Sequence, residues 1–284
     1  MFLIISPRRE AMKFGKLCIA MVLTMVMSTC AFAADINLSK SSSLNTIVKN
    51  GELRIGLNAS YPPFEMTNKQ GRLIGFDVEL GKEIAKSMGV KVKFVNMDFD
   101  GLIPALLSDK FDLIISGMTL TQQRNLKIAF SNPYVLMGQG IMVNMSKEKD
   151  IRLYRNLNKP EMKIVSCIGT TGEEAARKYL PKAQYKSFDQ PSDSAQEVIS
   201  GRADAFVYDL HVLEVLQKRM GGDKTFLLKE PFTFEPMAIG FKQGDPDLTN
   251  FINNFLFQFK NDGRYERIYS KWLLSNKWES LIDG

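Results

Sequence analysis

The sequence of 284 residues contains two successive cycles in which short apolar runs alternate with amphipathic helical patterns. In the first cycle, strands are predicted at residues 53–57, 90–95 and 113–116, with helices at 76–88 and 102–107. In the second cycle, strands are predicted at residues 163–167, 184–188 and 205–208, with helices at 173–179, 193–200 and 212–219. This alternation is typical of α/β proteins with parallel sheets.

The two cycles predict two lobes. The end of the chain has helical patterns but no strand cycle of its own, so we expect it to return to the first lobe. One lobe is therefore predicted from residues 51–141 together with 237–284, and the other from residues 142–236, joined by two hinge crossings. Because α/β sheets bind ligands at the carboxyl ends of their strands, we expect a binding cleft between the lobes.

The N-terminal region has the features of a secretory signal. Two lysines precede an apolar run at residues 17–27, and Ala31-Phe32-Ala33 supplies small residues for cleavage before Ala34. The apolar run is shorter than the ~20 residues of a membrane-spanning helix. We therefore predict a signal peptide at residues 1–33 and export to the periplasm; the alternative is a lipid anchor at Cys30.

After the signal, a flexible mature N-terminus is predicted at residues 34–50. Without the four basic residues and one acidic residue of the signal, the net charge falls from +6 to +3, which is too mild to indicate a nucleic-acid partner. Only Cys167 of the three cysteines remains, so an internal disulfide is excluded. A single histidine, His211, and no carboxylate cluster at ligand spacing argue against a metal site, and no cofactor is expected.

Residues 116–124 (SGMTLTQQR) follow the third predicted strand. The strand ends at Gly117, which leaves backbone groups free, and Thr121 can cap a short helix that carries Arg124. An arginine beside exposed peptide N–H groups can hold a planar carboxylate through two parallel hydrogen bonds. A surface ion pair is the alternative interpretation of Arg124.

Two further strand ends carry polar residues. Residues 169–174 (GTTGEE) open a helix whose free N–H groups attract an anion, although a simple turn capped by Thr171 fits equally well. Asp209 precedes another helix and is either its N-cap or a cleft carboxylate that binds an ammonium group. Together, Asp209 and Arg124 would match the two charges of a zwitterion.

Aromatic residues lie near the ends of the first two strands. Two prolines within residues 58–64 (NASYPPF) fix an extended loop that can display Tyr61 and Phe64, and Phe99 follows the second strand. These rings can form an apolar cradle for a ligand or fill the core. Cys167 is expected to be packed rather than reactive, because nothing in the sequence places a base beside it.

Several motifs occur together and in order along nearly the whole mature chain. They are LRIG at 53–56, YPPFE at 61–65, GFDV at 75–78, DGLIPAL at 100–106, GMT at 117–119 followed by Arg124, FSNPY at 130–134, GTTG at 169–172, and ADA at 203–205 followed by Asp209. In this combination the chain resembles the periplasmic polar amino-acid-binding proteins of ABC importers (extracellular solute-binding protein family 3).

The resemblance implies a bilobal clamshell, or Venus flytrap, that closes on one amino acid without breaking a bond. By the family's pattern, Arg124 would bind the ligand α-carboxylate with help from the N–H groups of Thr119 and Thr171. Asp209 would bind the α-ammonium with the Gly117 carbonyl and the Thr119 hydroxyl. The implied partners are a polar L-amino acid and the permease of an ABC transporter. The protein itself is expected to be a monomer.

The same pattern implies three rings around the ligand side chain: Tyr61, Phe64 and Phe99. Two positions depart from the pattern, because Asn58 stands where many relatives have Asp, and Cys167 stands where Gln or Lys is common. Asn58 offers only dipoles to a second cation, and an unpaired buried charge is unfavourable. We therefore expect a neutral polar ligand such as glutamine, unless Glu65 or Glu173 turns into the cleft.

Two other functions share this resemblance. A periplasmic cyclohexadienyl dehydratase would need an acid or base in the cleft, and Glu173 is the one candidate. A ligand-sensing partner of a membrane receptor would share the binding step.

Overall fold

A computed structural model of the chain describes residues 42–283. The predicted signal peptide, its cleavage site and Cys30 lie outside the described residues. Within residues 42–283, no helix combines the length and the apolar character of a membrane span.

The first lobe is built on a five-stranded sheet. Its strands, in spatial order, are β5 (Lys91–Asn96), β1 (Glu52–Leu57), β6 (Leu113–Ile114), β15 (Gly240–Phe241) and β7 (Ala129–Phe130). β1 runs parallel to β5 and β6, whereas β15 runs antiparallel to β6 and β7. The predicted strand cycle therefore forms the parallel part of the sheet, and the returning end of the chain adds an antiparallel strand.

Helices and a short ribbon accompany this sheet. The helices are α1 (Ser43–Asn50), α2 (Phe76–Met88), α3 (Leu102–Leu107), α4 (Gln122–Asn125), α8 (Pro246–Asn261), α9 (Arg264–Tyr269) and α10 (Ser280–Asp283). A three-stranded antiparallel ribbon, which the sequence analysis did not predict, consists of β2 (Ser60–Tyr61), β3 (Glu65–Thr67) and β4 (Leu73–Ile74). This ribbon lies between β1 and α2 along the chain and brings Glu65 into the buried interior.

The second lobe has its own five-stranded sheet. Its strands, in spatial order, are β11 (Gln184–Phe188), β10 (Lys163–Cys167), β12 (Ala205–Asp209), β9 (Gln139–Asn144) and β13 (Thr225–Leu228). β10 runs parallel to both of its neighbours, whereas β9 runs antiparallel to β12 and β13. The helices of this lobe are α5 (Thr171–Tyr179), α6 (Pro191–Ile199) and α7 (Leu210–Leu216).

The chain passes between the two sheets twice, and the two crossings lie side by side. β8 (Val135–Met137) pairs antiparallel with β14 (Glu235–Met237), with Leu136 opposite Pro236. β8 continues through Gly138 into β9 of the second sheet, and β14 continues into β15 of the first. This two-stranded ladder is the hinge.

The second half of the segment predicted to be a flexible N-terminus is a helix instead. Residues 43–50 form α1, in which Leu44 and Ile47 are buried. The Ser42 hydroxyl and the Ser43 N–H group both donate to Asp245, which ties the start of the helix to the start of α8. The i, i+3 spacing of the two apolar residues is the helical signal that the surrounding serines obscured.

Candidate ligand-binding site

Arg124 is presented by a short capped helix at the end of the β6 segment. The Thr121 hydroxyl accepts a hydrogen bond from the Arg124 N–H group at 3.1 Å, as the sequence predicted. The guanidinium is buried, with only 7% of the residue exposed. Its Nη1 donates to the Thr119 carbonyl at 2.8 Å, and its Nη2 donates across the cleft to the Gly169 carbonyl at 3.0 Å. Arg124 is therefore a cleft residue.

The charge of Arg124 has no direct counter-ion in its hydrogen bonds. Both of its side-chain hydrogen bonds within the described residues go to peptide carbonyls. Burial lowers the pKa of the guanidinium, while the more distant carboxylates of Glu174, Glu235 and Asp209 oppose this shift. Because the ordinary pKa of arginine, 12.5, lies far above neutral pH, the guanidinium stays charged. The cleft therefore holds a buried cation suited to an anionic ligand group.

Asp209 ends β12 on the second lobe and is also buried. It stands at the N-cap position of α7, but its side chain makes no capping hydrogen bond and is available to the cleft. Burial raises its pKa to about 7, repulsion by Glu235 acts in the same direction, and Tyr61 and Arg124 oppose the shift. The Tyr61 hydroxyl lies near this carboxylate but forms no hydrogen bond with a described atom. Because burial disfavours the ionised carboxylate, a cation placed beside Asp209 would stabilise the ionised form.

Gln139, which sequence reasoning missed, lies between these groups. It is the first residue of β9, directly after the hinge, and is paired in register with Asp209. Its Nε2 donates to Asp209 Oδ1 at 2.8 Å and to the Thr171 hydroxyl at 3.2 Å, and its buried Oε1 has no partner among the described residues. A polar amide in the otherwise apolar run Gly138–Val143 was the signal available in the sequence.

The threonines and glycine predicted to complete the site lie beside Arg124 and Asp209. The hydroxyls of Thr119 and Thr171 meet across the cleft at 3.4 Å. Thr170, not Thr171, caps α5, because its hydroxyl accepts from the Glu173 N–H group. Thr171 is thus free to face the cleft. Contacts run without a break from Arg124 through Thr119, Thr171 and Gln139 to Asp209.

Gly117 has a left-handed backbone, with φ of 52°. A Cβ atom at this position would lie 2.4 Å from the ring of Tyr61. Both the backbone conformation and the ring exclude a side chain here. The Gly117 N–H group donates to Asp77 at 2.7 Å, so its peptide is fixed from behind.

The three predicted aromatic residues occupy different positions. The Phe99 ring lies 5.4 Å from the Arg124 guanidinium, and Tyr61 packs edge-on against Tyr208 of the second lobe, with ring centroids 5.9 Å apart. Phe64 is fully buried behind Tyr61, between it and Phe76. Phe64 therefore supports the Tyr61 ring from the core, and Tyr208 is an additional ring that its buried strand position concealed.

The sequence matches the model of the family described as bacterial extracellular solute-binding proteins, family 3, over residues 53–275. The chain belongs to this family. The L-cystine-binding protein TcyJ of Escherichia coli (strain K12) is 28% identical over 254 residues, covering 89% of this chain and 92% of TcyJ.

Two solved structures of amino-acid-binding proteins extend the likeness. A binding component of an ABC transporter from Wolinella succinogenes, in complex with lysine, is 43% identical with a TM-score of 0.78 and covers 81% of this chain and 99% of that chain. The ancestral amino acid-binding protein AncCDT-1, described as a precursor of cyclohexadienyl dehydratase, is 44% identical with a TM-score of 0.77 and the same coverage. The two-lobed α/β clamshell is thus the fold of this chain, and its family consists of binding proteins of importers.

The rival interpretation as an enzyme rested on Glu173. In this solute-binding protein, Glu173 accepts hydrogen bonds from the Gly169 N–H group at 2.9 Å and from Arg177 one turn along α5. It is therefore held at the helix start rather than offered to the cleft. Family membership places the chain among binding proteins, not dehydratases.

Asn58 lies at the mouth of the cleft. Its N–H group donates to the Ser116 hydroxyl at 2.9 Å, and its Oδ1 accepts from the Ser60 N–H group. A cavity of about 370 Å³ opens beside it and is lined also by Asn96, Asp98, Asp100 and Gln190, among others. Gln190 of the second lobe donates to Asp98 of the first at 3.1 Å. The cavity is therefore lined by residues of both lobes.

Cys167 lies in the packed interior, as the sequence predicted. Cys167 is buried, burial raises the pKa of its thiol to about 12, and its nearest polar contact is the Ser194 hydroxyl at 3.8 Å. In the part of the chain that the structure describes, no group of three or more His, Cys, Asp or Glu residues is arranged to hold a metal ion.

Proposed function

We propose that this solute-binding protein captures one polar L-amino acid between its lobes and delivers it to an ABC-type importer. The observation that carries the proposal is the pair of buried, opposite charges at Arg124 and Asp209, one on each lobe, neither of which is neutralised by a direct ion pair with the other. A free amino acid supplies both missing charges at once.

The ligand α-carboxylate binds Arg124, with additional donation from the N–H groups of Thr119 and Thr171. The α-ammonium binds Asp209, the Gly117 carbonyl and the Thr119 hydroxyl. Gln139 already donates to Asp209 at 2.8 Å, and its free Oε1 is a further acceptor for the ammonium. Each charge-assisted hydrogen bond contributes about 1.5–3 kcal/mol, so four or five support a dissociation constant of about 1 μM or lower after ordering costs.

The ligand side chain lies between Tyr61 and Phe99 and points towards the cavity beside Asn58. Neither Glu65 nor Glu173 turns into the cleft, because each is hydrogen-bonded elsewhere. Asn58 therefore favours a neutral polar side chain such as that of glutamine. The exposed carboxylates of Asp98 and Asp100 at the cavity rim are the groups that would instead receive a cationic side chain.

The protein acts outside the cytoplasm. We infer that residues 1–33 direct export and are removed before Ala34, and that the protein works as a monomer in the periplasm with the permease as its partner. We assign residues 42–137 with 238–283 to the first lobe and residues 139–234 to the second, because β9 belongs to the second sheet. No cofactor or metal takes part in the binding step.

Calorimetric titration with the set of L-amino acids tests the proposal. We expect micromolar or tighter binding of at least one polar amino acid and, in Arg124→Ala, a loss of affinity of 100-fold or more, about 3 kcal/mol or above. Arg202→Ala is the matched control, because this arginine is exposed and pairs with Glu197 on the second lobe. Unchanged affinity in Arg124→Ala, or no binding of any amino acid, would remove the proposed function.

A further inference from the structure

Two carboxyl groups, Glu65 and Asp77, are fully buried in the first lobe behind the ligand-facing loops. Glu65 begins β3 and Asp77 lies in the first turn of α2. Neither belongs to the set of groups that contact the ligand in the proposed function. Buried carboxylates without a partner are rare, so their surroundings need an explanation.

The outer oxygens of both groups are hydrogen-bonded. Glu65 Oε1 accepts from the Ser116 hydroxyl at 2.6 Å. Asp77 Oδ2 accepts from the Gly117 N–H group at 2.7 Å and from the Tyr134 hydroxyl at 2.8 Å. One oxygen of each carboxyl group therefore has its hydrogen-bond donors.

The inner oxygens, Glu65 Oε2 and Asp77 Oδ1, receive no donor from any other described residue. The two carboxyl groups are neighbours, because the Asp77 N–H group donates to the Phe64 carbonyl at 2.9 Å and the outer oxygens are held by the consecutive residues Ser116 and Gly117. The titratable groups that face them are the tyrosines Tyr61, Tyr134 and Tyr208, and no lysine or arginine among residues 42–283 contributes to their electrostatics. Two facing acceptors repel unless one of them carries a proton.

Electrostatics agrees with this geometry. Burial and the neighbouring Asp77 carboxylate raise the pKa of Glu65 well above its ordinary value. Burial raises the pKa of Asp77 to about 6, while the hydrogen bonds from Gly117 and Tyr134 limit the shift. Both shifts favour a protonated carboxyl group within the pair.

The pair is connected to both ligand-facing loops of the first lobe. The Ser116 hydroxyl, which donates to Glu65, accepts from the Asn58 N–H group at 2.9 Å. The Asp77 carboxylate fixes the Gly117 peptide, whose carbonyl faces the ligand ammonium in the proposed function. Ser116 and Gly117 follow β6, and Asn58 follows β1, so one buried pair joins two strand ends.

We propose that Glu65 and Asp77 share a single proton in the working protein and act as positioning residues that fix Asn58 and Gly117 at the first lobe's side of the ligand site. The effect on the ligand rests on the proposed function; the shared proton does not. The tests therefore use the ligand-free protein.

Amide substitutions test the proton count. Glu65→Gln places one N–H donor towards Asp77 and keeps an acceptor for Ser116, and Asp77→Asn places one donor towards Glu65. The double variant E65Q/D77N sets two donors against each other. We expect each single change to shift the thermal midpoint by less than about 4 °C, and the double variant to lose about 8 °C or more beyond the sum of the single shifts.

The pH profile supplies a readout that a simple packing role would not change. Because the native pair holds its proton above the ordinary pKa of a carboxyl group, the wild-type protein loses stability as the pH rises through the native pKa. Glu65→Gln cannot lose this proton. We therefore expect the midpoint of Glu65→Gln to rise relative to wild type between pH 6 and pH 9. The titrations of Asp209 and Tyr61 are common to both proteins and cancel in the difference.

Amide hydrogen exchange tests the positioning role. We expect the N–H groups of Asn58 and Gly117 to exchange at least 10-fold faster in the double variant than in either single variant, while Ile164 in the second lobe is unchanged. Glu161→Gln, an exposed carboxyl change, is the control. Additive midpoints, parallel pH profiles for wild type and Glu65→Gln, or unchanged exchange at both amides would overturn the proposal. Failure of the amino-acid titrations alone would leave the shared proton standing and remove only its link to a ligand.

Discussion

At the scale of single residues, Asp209 combines burial with a pKa of about 7, set mainly by desolvation. A ligand ammonium group needs the ionised form of this carboxyl group. Below pH 7, therefore, ligand binding must release a proton from Asp209, whereas above pH 7 the group is already ionised.

We predict that affinity weakens by up to tenfold per pH unit as the pH falls below about 7, and is flat from pH 7 to pH 8. Calorimetry at pH 6 in two buffers with different ionisation enthalpies should show release of a proton on binding. Asp209→Asn should bind weakly and without this pH dependence, and Asp193→Asn, an exposed change in the same lobe, should behave as wild type. Equal affinity at pH 5.5 and pH 7.5, with no proton released, would contradict the role of Asp209.

Asn58 is the residue that separates neutral from cationic ligands in this account. Asn58→Asp adds a carboxylate beside the cavity that Asp98 and Asp100 also line. We predict that this variant gains at least tenfold in affinity for lysine or arginine relative to glutamine, because a buried cation then has a counter-ion.

Calorimetry of wild type and Asn58→Asp with these three amino acids measures the change. Asp112→Asn, at the far side of the first lobe where Asp112 pairs with Arg54, serves as the control. Tighter binding of lysine than of glutamine by the wild-type protein would show that the prediction of a neutral ligand is wrong and assign the cation to Asp98 or Asp100.

At the scale of elements, the loop after β6 depends on a glycine. Gly117→Ala introduces a Cβ atom 2.4 Å from the Tyr61 ring in a left-handed backbone. We predict a lower thermal midpoint, by about 5 °C or more, and at least tenfold weaker ligand binding, because the strain moves either the loop or the ring.

Gly222→Ala is the matched control, because Gly222 has a similar φ of 46° but no atom within 4 Å of the added Cβ. It carries the backbone strain without the contact. If both variants lose the same stability and neither loses affinity, the close approach of Tyr61 to Gly117 has no role in the site.

The longer elements were predictable because their patterns are periodic. Helix 76–88 and strands 163–167 and 184–188 have the bounds that the sequence indicated. The two-residue strands β2 and β4 are too short to show any alternation. β8 and β14 lie far apart in the sequence and pair through tertiary contact. The sequence therefore predicted that the chain crosses twice, but not that the two crossings form a ladder.

The residues of the site also divide into those that local sequence predicts and those that it does not. Arg124 and its Thr121 cap follow from local sequence, because a capped short helix after a strand has a recognisable composition. The positions of Gln139 and Tyr208 could not be predicted, because both lie in apolar strands and face the cleft only through the register of β9 with β12. Phe64 was predicted to enclose the ligand, but proximity in sequence to Tyr61 did not reveal that its ring points into the core.

At the scale of the whole molecule, the lobes meet through polar contacts between groups that the ligand would also use. Arg124 reaches the Gly169 carbonyl, Thr119 meets Thr171, and Asp98 accepts from Gln190. Such contacts are individually weak, so a ligand that satisfies both buried charges can shift the balance between open and closed lobes. The permease can then read the closed state.

In the proposed binding mode, one molecule presents a carboxylate to Arg124 and an ammonium group to Asp209 at the same time. Calorimetric comparison of the tightest-binding amino acid with its α-carboxamide and its deamino analogue tests this most directly. We expect each analogue to bind at least 100-fold more weakly, because each leaves one buried charge unpaired. An analogue that lacks either group and binds within threefold of the parent amino acid would rule out this binding mode.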